Sequence, residues 1–291
     1  SPASASWTVD TVVPEVTITA QPNSLINTDS VEILFESNED EVTFEGKIDG
    51  GNWSVETSPV SLSDLSEGAH TYQVRATDAA GNTGSAVSAS WTVDTVAPEI
   101  TITTQPDSLI NTDSVEIAFE ANGNNVTFEA KLDDGDWSEV TSPVTLSDLL
   151  EGAHAYQVRA TDEAGNIGSA VSVSWTVDTV VPEVTITEQP AIVSNNDSPQ
   201  IAFSCDDGDA TLEGRLNGGS WETVTSPFQL SGLTEGVHLF ELRATDEAGN
   251  TSAVISASWT LDMTAPVSFF LSGPALETYL DTATFEFDSD E

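Results

Sequence analysis

The sequence is short of positive charge. Six lysines and arginines face 49 aspartates and glutamates in 291 residues, a formal net charge of −43 at pH 7. A polyanion of this kind cannot grip a phosphate backbone, and an anionic lipid surface repels it. Nucleic acid is therefore excluded as a partner. Cysteine is nearly absent as well: Cys205 stands alone, which rules out an internal disulfide framework and leaves the redox compartment open. No apolar run approaches the roughly 18 residues of a membrane-spanning helix, so membrane insertion of this segment is not expected. No secretory signal stands at Ser1, an absence that decides nothing. Catalytic signatures are also missing: there is no Gly-x-Ser-x-Gly, no His-Glu-x-x-His and no phosphate-binding glycine loop. Carboxylate pairs abound, but 49 acids produce them by chance and they support no glycosidase. The chain is expected not to be an enzyme.

What the sequence does have is a period. Trp-Thr-(Val/Leu)-Asp recurs at Trp7, Trp91, Trp175 and Trp259, always 84 residues apart. Residues 7–90 and 91–174 align without a gap and differ at 21 positions. The third copy is more diverged but keeps Thr225-Ser226-Pro227 and the run from Ala244 to Asn250. The expected division is the end of a preceding repeat at 1–10, repeats at 11–94, 95–178 and 179–262, and the start of a truncated fourth at 263–291. Both ends read as partial units, which predicts a segment of a longer array. The acid is spread over every copy rather than gathered in a tail. One explanation is cation binding; another is a salty habitat, where counterions screen repulsion.

Within a copy the hydrophobic pattern alternates with period two, and helical periodicity is missing. Val31, Ile33 and Phe35 point one way in the second strand, and Tyr72, Val74 and Ala76 do so in the sixth. Val87, Ala89, Trp91 and Val93 close the unit, and Asp49-Gly50-Gly51-Asn52 marks a hairpin turn. Seven strands in about 84 residues predict an all-β chain of tandem antiparallel β-sandwiches in an elongated array, an architecture that resembles immunoglobulin-like domains. Tyr72 and Tyr156 follow a Leu and a Gly as a tyrosine corner would, but the third copy has Phe240, so burial of the ring must count for more than a hydroxyl bond.

The six cations, Lys47, Arg75, Lys131, Arg159, Arg215 and Arg243, fall on the outward parity of two neighbouring strands. They predict a surface ladder with Glu45 and its equivalents. His70, His154 and His238 each occur alone, which makes poor zinc sites and suggests packing at the core edge. Trp53, Trp137 and Trp221 follow the hairpin turns. Sugar stacking and rim packing are both open to them, with packing the commoner use. Cys205 is expected to be a small edge residue. Sequons at Asn52, Asn125, Asn196 and Asn250 matter only in a glycosylating host.

The run from Asp94 to Thr179, with its "TSPV", "EGAHAYQVRATDEAGN" and "WTVDT" segments, resembles bacterial immunoglobulin-like repeats. The resemblance covers the whole chain. It implies long tandem arrays in secreted or surface proteins, large adhesins among them. The implied role is an extracellular or cell-surface stalk with neighbouring repeats as partners and an unidentified surface ligand. Many members of the family carry a cysteine pair. Here Cys205 lies opposite Thr225, with Ser37 and Ala121 at its equivalents, so that link is absent.

The block from the end of the sixth strand to the next linker, Asp162 to Asp178 in the second copy, carries an Asp at both ends. In the implied fold, the loop holding Asp162 and Asn166 faces back toward the linker residue Asp94. Glu120 approaches the same pole, and Glu67 and Asp64 come from the preceding repeat. Oxygens gathered in this way suit Ca²⁺, which takes six to eight such ligands. The candidate ligands across the chain are Asp10, Asp78, Asn82, Asp94, Glu120, Asp162, Asn166, Asp178, Asp246, Asn250 and Asp262. The competing reading is plain turn chemistry, with Asp first and Gly fourth in a type I turn, and no dense calcium-loop spacing is present. The functional expectation is a structural or adhesive stalk with calcium-stiffened junctions. The alternative is a set of carbohydrate- or protein-binding accessory modules of an exported enzyme.

Overall fold

The computed structural model describes residues 3–274 and 281–290. Among these, every regular element is a strand. Contacts divide the chain into two compact units: one runs to residue 108 and resumes over 113–176, and the other takes 109–112 and the chain from 177 onward.

The first repeat contributes β1 (Val16–Ala20), β2 (Leu25–Ile26), β3 (Val31–Ser37), β4 (Thr43–Ile48), β5 (Ser54–Glu56), β6 (Val60–Leu62), β7 (Gly68–Thr77) and β8 (Val87–Val93). One sheet has β3 between β1 and β6, and the other runs β2–β8–β7–β4–β5. Alternation along β3 and β7 sends Ile33, Phe35, Tyr72, Val74 and Ala76 inward, where they meet Ala89, Trp91 and Val93 from β8. Burying each of the larger side chains contributes on the order of 1.5–3 kcal/mol relative to exposure. The third repeat builds the same layer from Ile201, Phe203, Phe240, Leu242, Trp259 and Leu261. In the second, Val115–Ala121 lies between Ile100–Thr104 and Val144–Leu146, and Val171–Val177, Gly152–Thr161, Thr127–Leu132 and Ser138–Val140 follow one another in the facing sheet. Near the end of the chain, Ser268–Ser272 pairs with Glu286–Ser289.

These are immunoglobulin-like sandwiches with an eighth strand. The sequence reading of seven missed β2, which pairs in parallel with β8 through Leu25↔Thr92 and Ile26↔Val93. Two residues after Pro22 carry no readable period, and a parallel partner cannot be announced by a hairpin turn. The β4–β5 turn is as expected: Asp49 and Gly50 both have positive φ, and the Gly51 N–H bonds to the Ile48 carbonyl at 2.8 Å. The Thr-Ser-Pro motif has a use the sequence did not disclose. The Ser58 hydroxyl accepts the Phe35 N–H at 2.9 Å, and Ser142 and Ser226 do the same for Phe119 and Phe203. The serine supplies a partner to a core strand beside a residue that has no N–H of its own to offer.

The tyrosine corner is not formed. The Tyr72 ring lies against Phe35, 6.4 Å between centres, and its hydroxyl reaches Gly46, where a Cβ would collide with it. The hydroxyls of Tyr72 and Tyr156 are buried without a hydrogen-bond partner. Burial, with a smaller contribution from Glu56, pushes the Tyr72 phenol up to about 12. Because an unpaired buried hydroxyl is a cost rather than a bond, Tyr72→Phe and Tyr156→Phe are expected to leave stability unchanged or raise it by up to about 1 kcal/mol. Chemical denaturation of the full chain checks this; a loss of that size would reveal a bond the tyrosines were making.

Candidate functional site

In the second repeat the Asp-to-Asn loop that follows Gly152–Thr161, the counterpart of β7, is a self-closed turn. The Gly165 N–H bonds to the Asp162 carbonyl at 3.2 Å, and the Asn166 N–H bonds to Asp162 Oδ1 at 2.8 Å. The side-chain amide of Asn166 then has two targets. It donates to Asp162 Oδ2 at 2.9 Å and to the backbone carbonyl of Asp94, in the linker entering the same repeat, at 2.7 Å. Asn82 makes the same bonds to Asp78 and to the Asp10 carbonyl, and Asn250 makes them to Asp246 and the Asp178 carbonyl. One asparagine per repeat thus fastens its linker. Burial works against the Asp162 carboxylate, but the Asn166 side-chain and backbone donors outweigh it and hold the group below the usual range. Asp78 lies low for the same kind of reason, with the Asn82 side chain the largest cause.

The aspartates at the other end of the block are turn formers. Oδ1 of Asp94 accepts the Val96 N–H at 3.2 Å, and Asp10, Asp178 and Asp262 accept from Val12, Val180 and Thr264 at 3.0, 3.2 and 3.0 Å. The linker is also held by the repeat it leaves. Glu67 accepts the Thr95 N–H at 3.0 and 3.2 Å and the Thr95 hydroxyl, and Glu235 accepts the Thr264 hydroxyl at 2.8 Å. Farther along, the Glu99 N–H bonds to Asn122 Oδ1 at 2.7 Å and its carbonyl takes the Asn122 N–H at 3.1 Å. The Asp94–Glu99 linker is therefore hydrogen-bonded to elements on both sides of it.

For the metal reading, the structure brings some of the predicted residues together and leaves one out. A cleft of about 420 Å³ is lined by Asp94, Asn122, Asn124, Asp162 and Glu163. Glu120 pairs with Thr101 on an exposed stretch of strand and is not among the cleft residues. Asp64 forms its own turn at positive φ, with the Ser63 hydroxyl on its carboxylate. At the equivalent pole of the first repeat, Glu39 is held above the usual carboxylate range, by burial first and then by the charges of Asp78 and Asp10. Among the described residues, no three His, Cys, Asp or Glu side chains form a group able to hold a metal ion. The oxygens of Asp162 and Asn122 are already engaged in hydrogen bonds.

The six cations form something the sequence reading only half described. Arg75 bonds through Nε to Glu45 at 3.0 Å, as expected, but its guanidinium also lies over the Trp53 ring at 4.3 Å, and the Lys47 ammonium lies over the same ring at 4.7 Å. Trp137 carries Arg159 and Lys131, at 4.5 and 5.5 Å. Trp221 carries Arg243 and Arg215, at 4.4 and 4.5 Å. The tryptophans left open to sugar stacking are thus ring partners for every lysine and arginine in the chain. The separate series, Trp91, Trp175 and Trp259, is buried in the core, as expected. Cys205 is half-buried at a strand end, and the sequon residue Asn250 is buried in its linker contact.

The clamp makes a direct prediction. Glu67→Ala removes the acceptor of the Thr95 N–H, and amide exchange at Thr95 should speed up by roughly tenfold, with core amides such as Val74 unchanged. Asp162→Ala removes the acceptor of the Asn166 N–H and should have a parallel effect there. Hydrogen exchange read by NMR measures both.

Comparison with known proteins follows the same pattern of repeats. A profile for the bacterial Ig-like domain matches residues 5–95 and again residues 96–179. A curated relative, Exoglucanase B of Cellulomonas fimi, is 34% identical over 219 residues, 65% of this chain and 20% of that protein. The chain thus spans about a fifth of that relative's length. Three solved structures are similar at low identity. The fibronectin(III)-like modules of Clostridium thermocellum CbhA are 18% identical, with 56% of this chain and 94% of that one covered and a TM-score of 0.35. A solved chain from a 1.5-MDa bacterial ice-binding adhesin is 17% identical, with 87% of this chain and 98% of that solved chain covered and a TM-score of 0.41. The FN1–FN3 domains of chicken CNTN1 are 13% identical, over 86% and 99%, with a TM-score of 0.32. The two profile matches together take in more than half of the sequence, and the chain belongs to the bacterial Ig-like domain family.

Proposed function

We propose that this chain is a non-catalytic spacer, a run of stalk modules in an extracellular repeat protein that holds a binding region away from a surface. The observation that carries the reading is the linker. It is short, it contains Pro98, and it is hydrogen-bonded both to the repeat it leaves, through Glu67, and to the repeat it enters, through Asn166. Linkers held in this way resist bending, and resistance to bending is what a spacer needs. The near-identity of the first two repeats supports the same reading, because a spacer asks only for length. Small-angle scattering tests it. The expected result is a maximum dimension well beyond that of a compact globule of the same mass; a globular value overturns the reading.

Calcium at the junctions is a further part of this proposal. Its support is the cleft lined by Asp94, Asp162 and Glu163, and the mutual repulsion around Glu39, which a divalent cation would relieve. An ion bound there has to form its ligand shell by side-chain rotation, since no preformed group exists among the described residues. The expected outcome is a rise in melting temperature on adding millimolar Ca²⁺ that EDTA reverses and Na⁺ at equal ionic strength does not reproduce. Equal melting temperatures in Ca²⁺ and EDTA remove the metal from the proposal and leave the stalk in place.

A second reading is favoured by the relative named an exoglucanase: the repeats serve as accessory modules of an exported enzyme. In that setting they either space the catalytic part or touch its polysaccharide. The cation-covered rings of Trp53, Trp137 and Trp221 favour spacing. Pull-down on insoluble cellulose and other polysaccharides should therefore retain no chain, and retention that Trp137→Ala abolishes would establish contact instead.

A further inference from the structure

The three histidines occupy equivalent places but have different partners. His70 is 6% exposed, and both of its ring nitrogens face acceptors. Nε2 lies 2.7 Å from the Ser66 carbonyl oxygen, and Nδ1 lies 2.7 Å from Asp49 Oδ2. A carbonyl and a carboxylate can only accept, so each nitrogen needs its own proton. His154, 9% exposed, repeats the geometry with the Leu150 carbonyl at 2.8 Å and Asp133 Oδ2 at 2.9 Å. The second oxygen of each aspartate takes a backbone N–H, from Thr71 and Ala155, at 2.8 Å. His238 differs. Its Nε2 faces the Thr234 carbonyl at 2.7 Å, but its Nδ1 faces Nδ2 of Asn217 at 3.1 Å. The orientation of that amide is fixed, because Asn217 Oδ1 accepts the Leu239 N–H at 2.9 Å. An amide N–H donates, so Nδ1 accepts, and the neutral ring satisfies every partner.

We infer that His70 and His154 are held as imidazolium ions, each a buried ring paired with an aspartate that stays open to solvent, while His238 sits in the same place as a neutral ring, so the first two repeats are fastened by a proton that the third does not use. The groups facing each paired ring come from three elements. The β4–β5 turn gives Asp49, the loop before β7 gives the Ser66 carbonyl, and β8 gives the Trp91 indole, 6.0 Å between ring centres. Asp133, Leu150 and Trp175 are the counterparts, with 5.8 Å between rings. The aspartate is the charged group among them. The loop carbonyl, and after it the aspartate, lift each histidine above its ordinary 6.5 against the opposing effect of burial. Burial opposes the charge on the aspartates too, but the backbone N–H and the imidazolium outweigh it and hold them below 3.8.

The sign of the pH effect follows. A histidine whose folded pKa is raised contributes stability fully below pH 6.5 and loses it as pH rises through the folded value. The aspartates contribute above pH 3.8 and lose their share as pH falls through their lowered values. Ser66 directly precedes Glu67, which holds the next linker at Thr95, so the loop fastened by the His70 proton is the loop that carries the clamp.

The test uses the full chain with ¹⁵N placed only in the histidine rings, so that three rings are the whole signal. At neutral pH, two rings should show both nitrogens protonated and the third should show one. Asn217→Asp, which copies the first two repeats into the third, should convert His238 to the doubly protonated pattern. Asp49→Asn with Asp133→Asn should convert His70 and His154 to the neutral one and flatten the fall in melting temperature between neutral pH and pH 9. Three neutral rings in the unmodified chain, or an Asn217→Asp chain whose His238 is unchanged, overturn the inference. Should the double variant not fold, the unmodified chain and Asn217→Asp still decide it.

Discussion

The constraint on which the arrangement of repeats depends is a backbone carbonyl that has to find a donor. A linker leaving one sandwich and entering the next exposes its peptide groups on the way, and its carbonyl at Asp94 needs a partner to be held in one place. The Asn166 amide supplies that partner, and Asp162 holds the amide in position. The arrangement is economical in chemistry. The turn needs Asp at its start and Gly near its end for its own geometry, and Asn at the next position serves both the turn and the linker. This is why the block recurs with an Asp at either end. The loop Asp closes its turn, the linker Asp turns the chain, and the asparagine between them ties the loop to the linker backbone.

Charge is distributed with similar regularity. Every lysine and arginine is spent over a tryptophan ring, and each arginine also meets a glutamate, so no basic side chain is left over to neutralise the rest of the surface. Partly exposed pairs of this kind contribute little singly, but a planar guanidinium between a carboxylate and an indole is held in one orientation. The face of the β4–β7 sheet is thereby ordered, and the chain keeps its large excess of acid.

Much of this was legible in the sequence, and what was not has physical causes. The period of 84 residues and the alternation in β3, β7 and β8 announce repeated sandwiches, because side-chain direction in a strand is fixed by parity. The approach of Asn166 and Glu67 to the linker was legible once the loops were assigned to poles. Which atom each would touch was not, because a carboxylate in a turn and a carboxylate on a metal carry the same letter. β2 was invisible, since two residues have no period. The ring partners of Trp53 were not legible for want of a cross-strand register: Lys47 and Arg75 lie 28 positions apart and meet only when β4 pairs with β7. The contrast between Asp49 and Asn217 was visible as a substitution, but its meaning required the distance from each to a histidine nitrogen.

The short strand β2 has a mechanical consequence. It runs parallel to β8, joined through the Thr92 N–H to the Ser24 carbonyl and the Asp94 N–H to the Ile26 carbonyl, each at 2.9 Å. Tension applied to the two ends of this repeat pulls one strand backward and the other forward along their common axis. The bonds between them are then sheared all at once instead of being peeled open one after another. A patch of two residues at the point where the chain departs is thus placed to bear load that an antiparallel hairpin at the same point would yield to stepwise.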